Sequence, residues 1–180
     1  MKTEYECTIL DVDINSFVKK IKNLGATFIG EYFQRRYVYD FNPKEEGKWI
    51  RLRTNGEKTT LTIKNILDKN DIGGTTELEI IVSDFDQTNN ILEEVGYIHR
   101  NYQENKRIRY ILDNVEIDID TWPLIPTYVE IEGKNKEEVI RTLKKLGYEN
   151  SEKVTTLDVT SIYNEIYKID ILKIKKLKFN

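Results

Sequence analysis

The feature that most constrains this chain is a repeated alternation of apolar and polar residues in which the polar positions come as charges of one sign, two or three in a row. Period two marks a strand with two unlike faces. The segments Lys2–Leu10, Arg36–Phe41, Lys48–Thr54, Thr59–Asn65, Thr75–Val82, Asn105–Leu112, Val115–Thr121 and Thr127–Glu132 all read this way, and Asp113-Asn114 reads as a tight turn between two of them. So many successive strands predict a large antiparallel sheet or a barrel. Three segments carry apolar residues at helical spacing instead: Asp13–Leu24, Phe85–Val95 and Asn135–Leu146, with stop signals at Gly25, Gly96 and Gly147. Each follows a strand that contains or ends near Glu-x-Glu, a weak internal repeat.

Separating the faces gives two sets. One holds Tyr5, Cys7, Ile9, Ile50, Leu52, Leu61, Ile63, Leu78, Ile80, Ile108, Tyr110, Leu112, Val115, Ile117, Ile119, Val129 and Ile131. The other holds the basic residues Arg51, Arg53, Lys64, Arg107 and Arg109 with the acidic residues Glu4, Glu6, Glu77, Glu79, Glu116, Asp118, Asp120, Glu130 and Glu132. An antiparallel sheet with one wet face would also alternate. However, like charges directly across a sheet oppose pairing, and three amphipathic helices need an apolar surface to cover. If the helices cover the apolar faces, the charged faces turn inward around a polar lumen. Clustered arginines suit phosphate oxygens, and crowded carboxylates call for a hard divalent cation, magnesium or manganese. Together these are the groups that phosphoryl transfer uses. No Gly-x-x-x-x-Gly-Lys loop is present to cradle the phosphates another way.

The ordered set now resembles a known family. The Glu-x-Glu opening, the Arg-Leu-Arg strand, the Thr-Ile-Lys strand and the closing VEIEG are similar to the CYTH fold, the triphosphate tunnel metalloenzymes, from about Glu4 to Leu146. That family includes class IV adenylate cyclases, thiamine-triphosphatase-like enzymes and inorganic triphosphatases. The resemblance implies an α+β fold, an eight-stranded antiparallel β-barrel with helices packed outside. It implies that Glu4, Glu6, Glu130 and Glu132 hold Mg2+ or Mn2+, and that Arg51, Arg53, Lys64, Arg107 and Arg109 grip the triphosphate. Glu77, Glu79, Asp118 and Asp120 are then the catalytic candidates, orienting water or a second metal ion. The expected activity is hydrolysis of tripolyphosphate, ATP or thiamine triphosphate. If the nucleophile is a ribose hydroxyl, the activity is instead conversion of ATP to cyclic AMP and pyrophosphate. The family opening is Glu-x-Glu-x-Lys, and here Thr8 stands at the lysine position, which leaves open a binding protein without turnover. Lys106 falls on the wrong face by parity to replace that lysine.

Composition sets the remaining expectations. With 28 Lys plus Arg against 31 Asp plus Glu, the net charge is −3, which argues against a nucleic-acid partner. No segment is apolar enough to span a membrane, and the opening residues read as strand rather than leader, so a cytoplasmic location is expected. A homodimer is the assembly considered. Residues 1–180 read as one domain, with 150–180 a C-terminal helical or edge appendage whose Asp158–Ile169 has helical spacing. His99 reads as an exposed loop residue and Cys7 as a buried structural thiol. Trp49 and Trp122 read as packing residues, with stacking on a base at a tunnel mouth as the alternative. Tyr128 shares the parity of the closing Glu pair.

Overall fold

The apolar strand faces point outward and the charged faces inward. The structure, a computed structural model, describes residues 1–180. Its elements are β1 (Lys2–Ile9), α1 (Ile14–Asn23), β2 (Thr27–Asp40), β3 (Lys48–Thr54), β4 (Thr59–Ile66), β5 (Thr75–Val82), α2 (Phe85–Glu94), β6 (Asn101–Leu112), β7 (Val115–Thr121), β8 (Tyr128–Gly133), α3 (Lys136–Lys145), β9 (Val154–Thr155), α4 (Val159–Ser161) and β10 (Lys176–Leu177). The order β2-β3-β4-β5-β1-β8-β7-β6 closes where β6 pairs with β2, and every pairing in this ring of eight is antiparallel. The short β9 lies on β1, and β10 runs parallel to β6.

The main core lies between this wall and two helices. Cys7, Ile9, Ile117, Ile119, Val129 and Ile131 on the outer faces pack with Phe17 and Ile21 of α1 and Val139, Leu143 and Leu146 around α3. A smaller cluster seats Phe85 of α2 on Tyr39, Ile50 and Leu52. Local chemistry sets the helix starts. Asp13, Asp84 and Asn135 accept hydrogen bonds from the backbone N–H of Ser16, Gln87 and Glu138 at 2.7, 2.7 and 2.9 Å. Asp113 and Asn114 both have positive φ, 51° and 67°, the backbone that a two-residue hairpin between β6 and β7 requires.

Three elements differ from the sequence-based expectation. The strand expected from Arg36 begins at Thr27: Tyr32 and Gln34 on one face and Phe33 and Arg35 on the other give no apolar–polar contrast, and a register shift between Phe28 and Gly30 breaks the phase before them. β6 begins at Asn101 rather than Asn105, since Asn101, Gln103 and Asn105 are buried polar residues with no apolar period. The helix expected over 158–169 is one turn, α4, that widens into a π-helical turn at Ile162–Ile166 and stops before Lys168, where φ is +58°. This C-terminal segment returns to one end of the barrel. Ile162, Tyr163, Ile171 and Leu177 pack there with Leu10, Trp122, Ile125 and Tyr128. No helix is long and apolar enough to cross a membrane.

Ile131 is fully buried on the outer face of β8. Ile131→Ala is expected to lower unfolding free energy by about 2–5 kcal/mol, read from urea titration; a loss under about 1 kcal/mol would place the core elsewhere.

Candidate functional site

The barrel encloses a cavity of about 340 Å³. Glu4, Glu6, Arg51, Arg53, Lys64, Glu77, Glu79, Arg107, Arg109, Glu130 and Glu132 all line it. Asp118 and Asp120, 2% and 0% exposed, do not reach the cavity surface and sit behind the arginines of β6. Parity along each strand brings these residues together, because the sheet curls with its charged face concave.

The lumen is electrically divided. On the acidic side, β1, β8 and β7 set Glu6 across from Glu132, and Glu132 across from Glu116. Five of the neighbouring carboxylates have cations. Glu4 accepts from Lys64 Nζ at 2.7 and 2.9 Å. Arg107 binds Asp118 at 2.6 Å, Asp120 in a fork, and Glu130. Arg109 binds Asp118 and Glu116, each at 2.6 Å. Glu6 and Glu132 form no ion pair among those found in the barrel. Burial pushes the Glu6 carboxyl up to about 8, with Glu130, Glu4 and Glu132 adding to the rise against Lys64. Burial likewise pushes Glu132 up to about 7, with Glu116 and Glu4 adding. Glu77 is also raised by burial and by Glu4 beside it. Burial would raise Glu130 as well, yet Arg107 and Lys64 hold it below the usual carboxylate range.

The basic side is built by β2, β3 and β4. Arg51 and Arg53 share one carboxylate, Glu79, at 3.7 and 4.0 Å, and Lys58 reaches the same group at 3.8 Å. Thr62 donates to Glu79 at 2.8 Å. Arg36, directly across from Arg53, joins them in the lumen. Sequence reasoning missed it because the adjacent Arg35 and Arg36 give no parity of their own, and the inner face of β2 mixes Tyr32, Gln34 and Val38 with Arg36 rather than repeating one charge. Arg36 donates to Gln34 at 2.9 Å and to Asn105, and stacks 4.5 Å above Trp122. Burial, with Arg51 and Arg107 nearby, lowers its guanidinium to about 9, and burial beside the same arginines lowers Arg53 too.

Other residues fall as follows. Cys7 is buried in the outer core, as expected. Trp122 is buried against Tyr163, and Trp49 lines the cavity. Tyr128 is buried with its hydroxyl unpartnered. His99 is half-buried rather than exposed: it stacks 4.4 Å from Tyr37 and sits 3.2 Å from Glu93. Lys106 lies over Phe179 outside the lumen, as parity requires. Thr8 lines the cavity across from Glu130 and carries no charge there.

No three acidic, histidine or cysteine side chains form a ready-made metal cage. The chemistry of the donors nevertheless fits a divalent cation. Glu6 and Glu132 carry hard oxygen donors at directly paired positions of β1 and β8, without a cation of their own and raised by burial and by neighbouring carboxylates.

The comparisons with known proteins agree with this architecture. A family model described as CYTH domain matches residues 2–162. The PH1012 protein from Pyrococcus horikoshii OT3 is 26% identical, with a TM-score of 0.73 over 85% of this chain and 94% of that one. A conserved hypothetical protein from Pyrococcus furiosus is 22% identical, with a TM-score of 0.75 over 87% and 98%. A putative adenylyl cyclase from Hippeastrum, described as revealing a dominant triphosphatase activity, is 14% identical, with a TM-score of 0.55 over 92% and 96%. Among curated proteins nothing matches.

The raised carboxyls give a pH signature. Glu6 binds its proton more tightly folded than unfolded, so the stability it contributes is present below about 4.5 and lost as pH rises through about 8. In the presence of a chelator, Glu6→Gln is expected to melt higher than the parent at pH 8 and by a much smaller margin at pH 5. Equal melting at both values would mean that Glu6 is not charge-strained.

Proposed function

Because the chain belongs to the CYTH domain family, we propose that it is a divalent-metal-dependent phosphohydrolase acting on a triphosphate held in the lumen. The substrate is inorganic or organic, with tripolyphosphate, ATP and thiamine triphosphate as candidates. The observation that carries this reading is the division of the lumen: an under-neutralised arginine cluster facing an under-neutralised carboxylate belt across one cavity. An anion with several negative oxygens, bound together with a divalent cation, answers both deficits.

Arg51 and Arg53 present planar forks to the phosphate oxygens, and Lys64 adds a point charge beside Glu4. Arg107 and Arg109 are held from behind: Asp118 and Asp120 fix the first, Asp118 and Glu116 the second. On this reading Asp118 and Asp120 act as positioning residues that keep those guanidiniums aimed inward. Glu6 and Glu132, with Glu4 and Glu130 beside them, would hold Mg2+ or Mn2+, which when bound supplies charge neutralisation at the phosphate. Glu77 and Glu79 line the wall next to Lys64 and the arginines, where they can accept hydrogen bonds from an attacking water. Most of the rate enhancement then comes from alignment and preorganised charge.

The test is product analysis with Mg2+ or Mn2+ and a chelator control. Orthophosphate release from tripolyphosphate, lost on chelation, is expected. Cyclic AMP with pyrophosphate from ATP would make the chain a class IV cyclase instead. Thr8 supports one further reading, triphosphate binding without turnover: no product from either substrate together with tight binding would establish it, and Thr8→Lys is then the variant expected to gain activity. Arg53→Ala is expected to lower kcat/KM for the hydrolysed substrate by roughly 100- to 1,000-fold. Glu132→Gln is expected to abolish metal-dependent turnover while circular dichroism stays unchanged. Full activity in both variants would remove the lumen as the site.

A further inference from the structure

Four buried side-chain donors that line the cavity have no partner: Arg36 Nε, Arg51 Nε, Thr60 Oγ1 and Trp122 Nε1. Buried donors are normally satisfied, and leaving one unmade costs the full desolvation of the group. Arg36, Thr60 and Trp122 are 6%, 4% and 3% exposed, so bulk water does not serve them freely.

Their placement is ordered. Arg36, Arg53 and Thr60 face one another across β2, β3 and β4. Arg36 also stacks on Trp122, and Trp122 packs with Ile162, Tyr163 and Ile171 of the C-terminal segment. Thr156–Val159 of that segment complete the cavity wall. Arg36 and Trp122 therefore lie toward the end of the barrel that the chain itself covers, Arg51 sits midway along β3, and Thr60 follows the β3–β4 turn. Glu116, where β7 begins, and Lys58 in the β3–β4 turn have side chains 37% and 51% exposed and mark the wetter end.

The charges around Arg36 do not cancel. Asp120 and Glu130 are engaged by Arg107. Glu79 is the one carboxylate paired with Arg51 and Arg53, and Arg36 has none. Three guanidiniums share one paired carboxylate, and Asp120 and Glu130, which share the single Arg107, offset part of the remaining charge. A terminal phosphoryl group carries about −2 near neutral pH and offers three acceptor oxygens. An internal phosphoryl group carries less charge and needs open space on both sides, which a covered end lacks.

We infer that Arg36, with Arg51, Arg53 and Trp122 Nε1, forms a subsite for a terminal phosphoryl group, so that a polyphosphate enters chain end first and whatever is attached to its other end lies toward the wetter end of the lumen. This rests on the triphosphate reading and adds to it residues and an orientation. The same subsite would take free orthophosphate.

Isothermal titration with tripolyphosphate and, separately, orthophosphate tests it, both with Mg2+, on the parent chain, Arg36→Gln and Trp122→Phe. Loss of a charge-assisted hydrogen-bonding group is expected to weaken tripolyphosphate binding by about 10- to 100-fold in Arg36→Gln. Trp122→Phe removes the N–H together with the five-membered ring but keeps a six-membered aromatic face beside Arg36, so about tenfold weaker binding is expected, with a melting temperature lowered by the lost packing. A folded Arg36→Gln protein that binds tripolyphosphate within twofold of the parent overturns the subsite. If Arg36→Gln does not fold, unchanged binding in Trp122→Phe overturns it. If the parent binds orthophosphate but not tripolyphosphate, and Arg36→Gln loses that binding, the triphosphate reading fails while the subsite stands; a parent that binds neither overturns both.

Discussion

Arg107 holds together the most crowded part of the lumen. One guanidinium ties Asp118 and Asp120 of β7 to Glu130 of β8, from its own place on β6, and so joins the three strands that complete the ring. Taking these charges out of water is expensive, and only multiple short contacts offset that cost. Without Arg107, buried carboxylates on adjacent strands would repel across the pairings that close the barrel. Coulomb attraction raises the affinity of Arg107 for its proton even though burial works against it.

This knot determines what the remaining charges are free to do. Arg107 and Arg109 are occupied by protein carboxylates, whereas Arg36, Arg51 and Arg53 are largely not. Glu4 and Glu130 are answered by Lys64 and Arg107, whereas Glu6 and Glu132 are not. Residues that look equivalent as alternating charges thus divide into those that build the wall and those that face an unmet electrostatic demand. The second group lies on opposite sides of one cavity, which is the arrangement that a bound polyanion and cation would balance.

Much of this was legible from parity. Glu4, Glu6, Arg51, Arg53, Lys64, Glu77, Glu79, Glu130 and Glu132 share the inner face because successive residues of a strand alternate and each helix needs an apolar face to cover. Asp118 and Asp120 have the same parity but lie behind Arg107 and Arg109, and strand parity says nothing of which side chain reaches past another. Arg36 escaped because the inner face of β2 mixes Tyr32, Gln34, Arg36 and Val38, which gives no run of like charges to read. The helical spacing over Asp158–Ile169 gave no sign that Ile162, Tyr163 and Ile171 cover one barrel end, since those residues pack singly rather than along a regular element.

By itself, the sequence determined that charged faces would line one surface and apolar faces another, and where the helices begin and end, because alternation and capping are local chemistry. Only the tertiary structure decided which charges pair, which stay unneutralised, and which end of the lumen is covered. Those outcomes depend on register between strands distant in sequence, such as Glu6 with Glu132 and Arg36 with Arg53, and a difference of one residue in register would reverse the face each one takes.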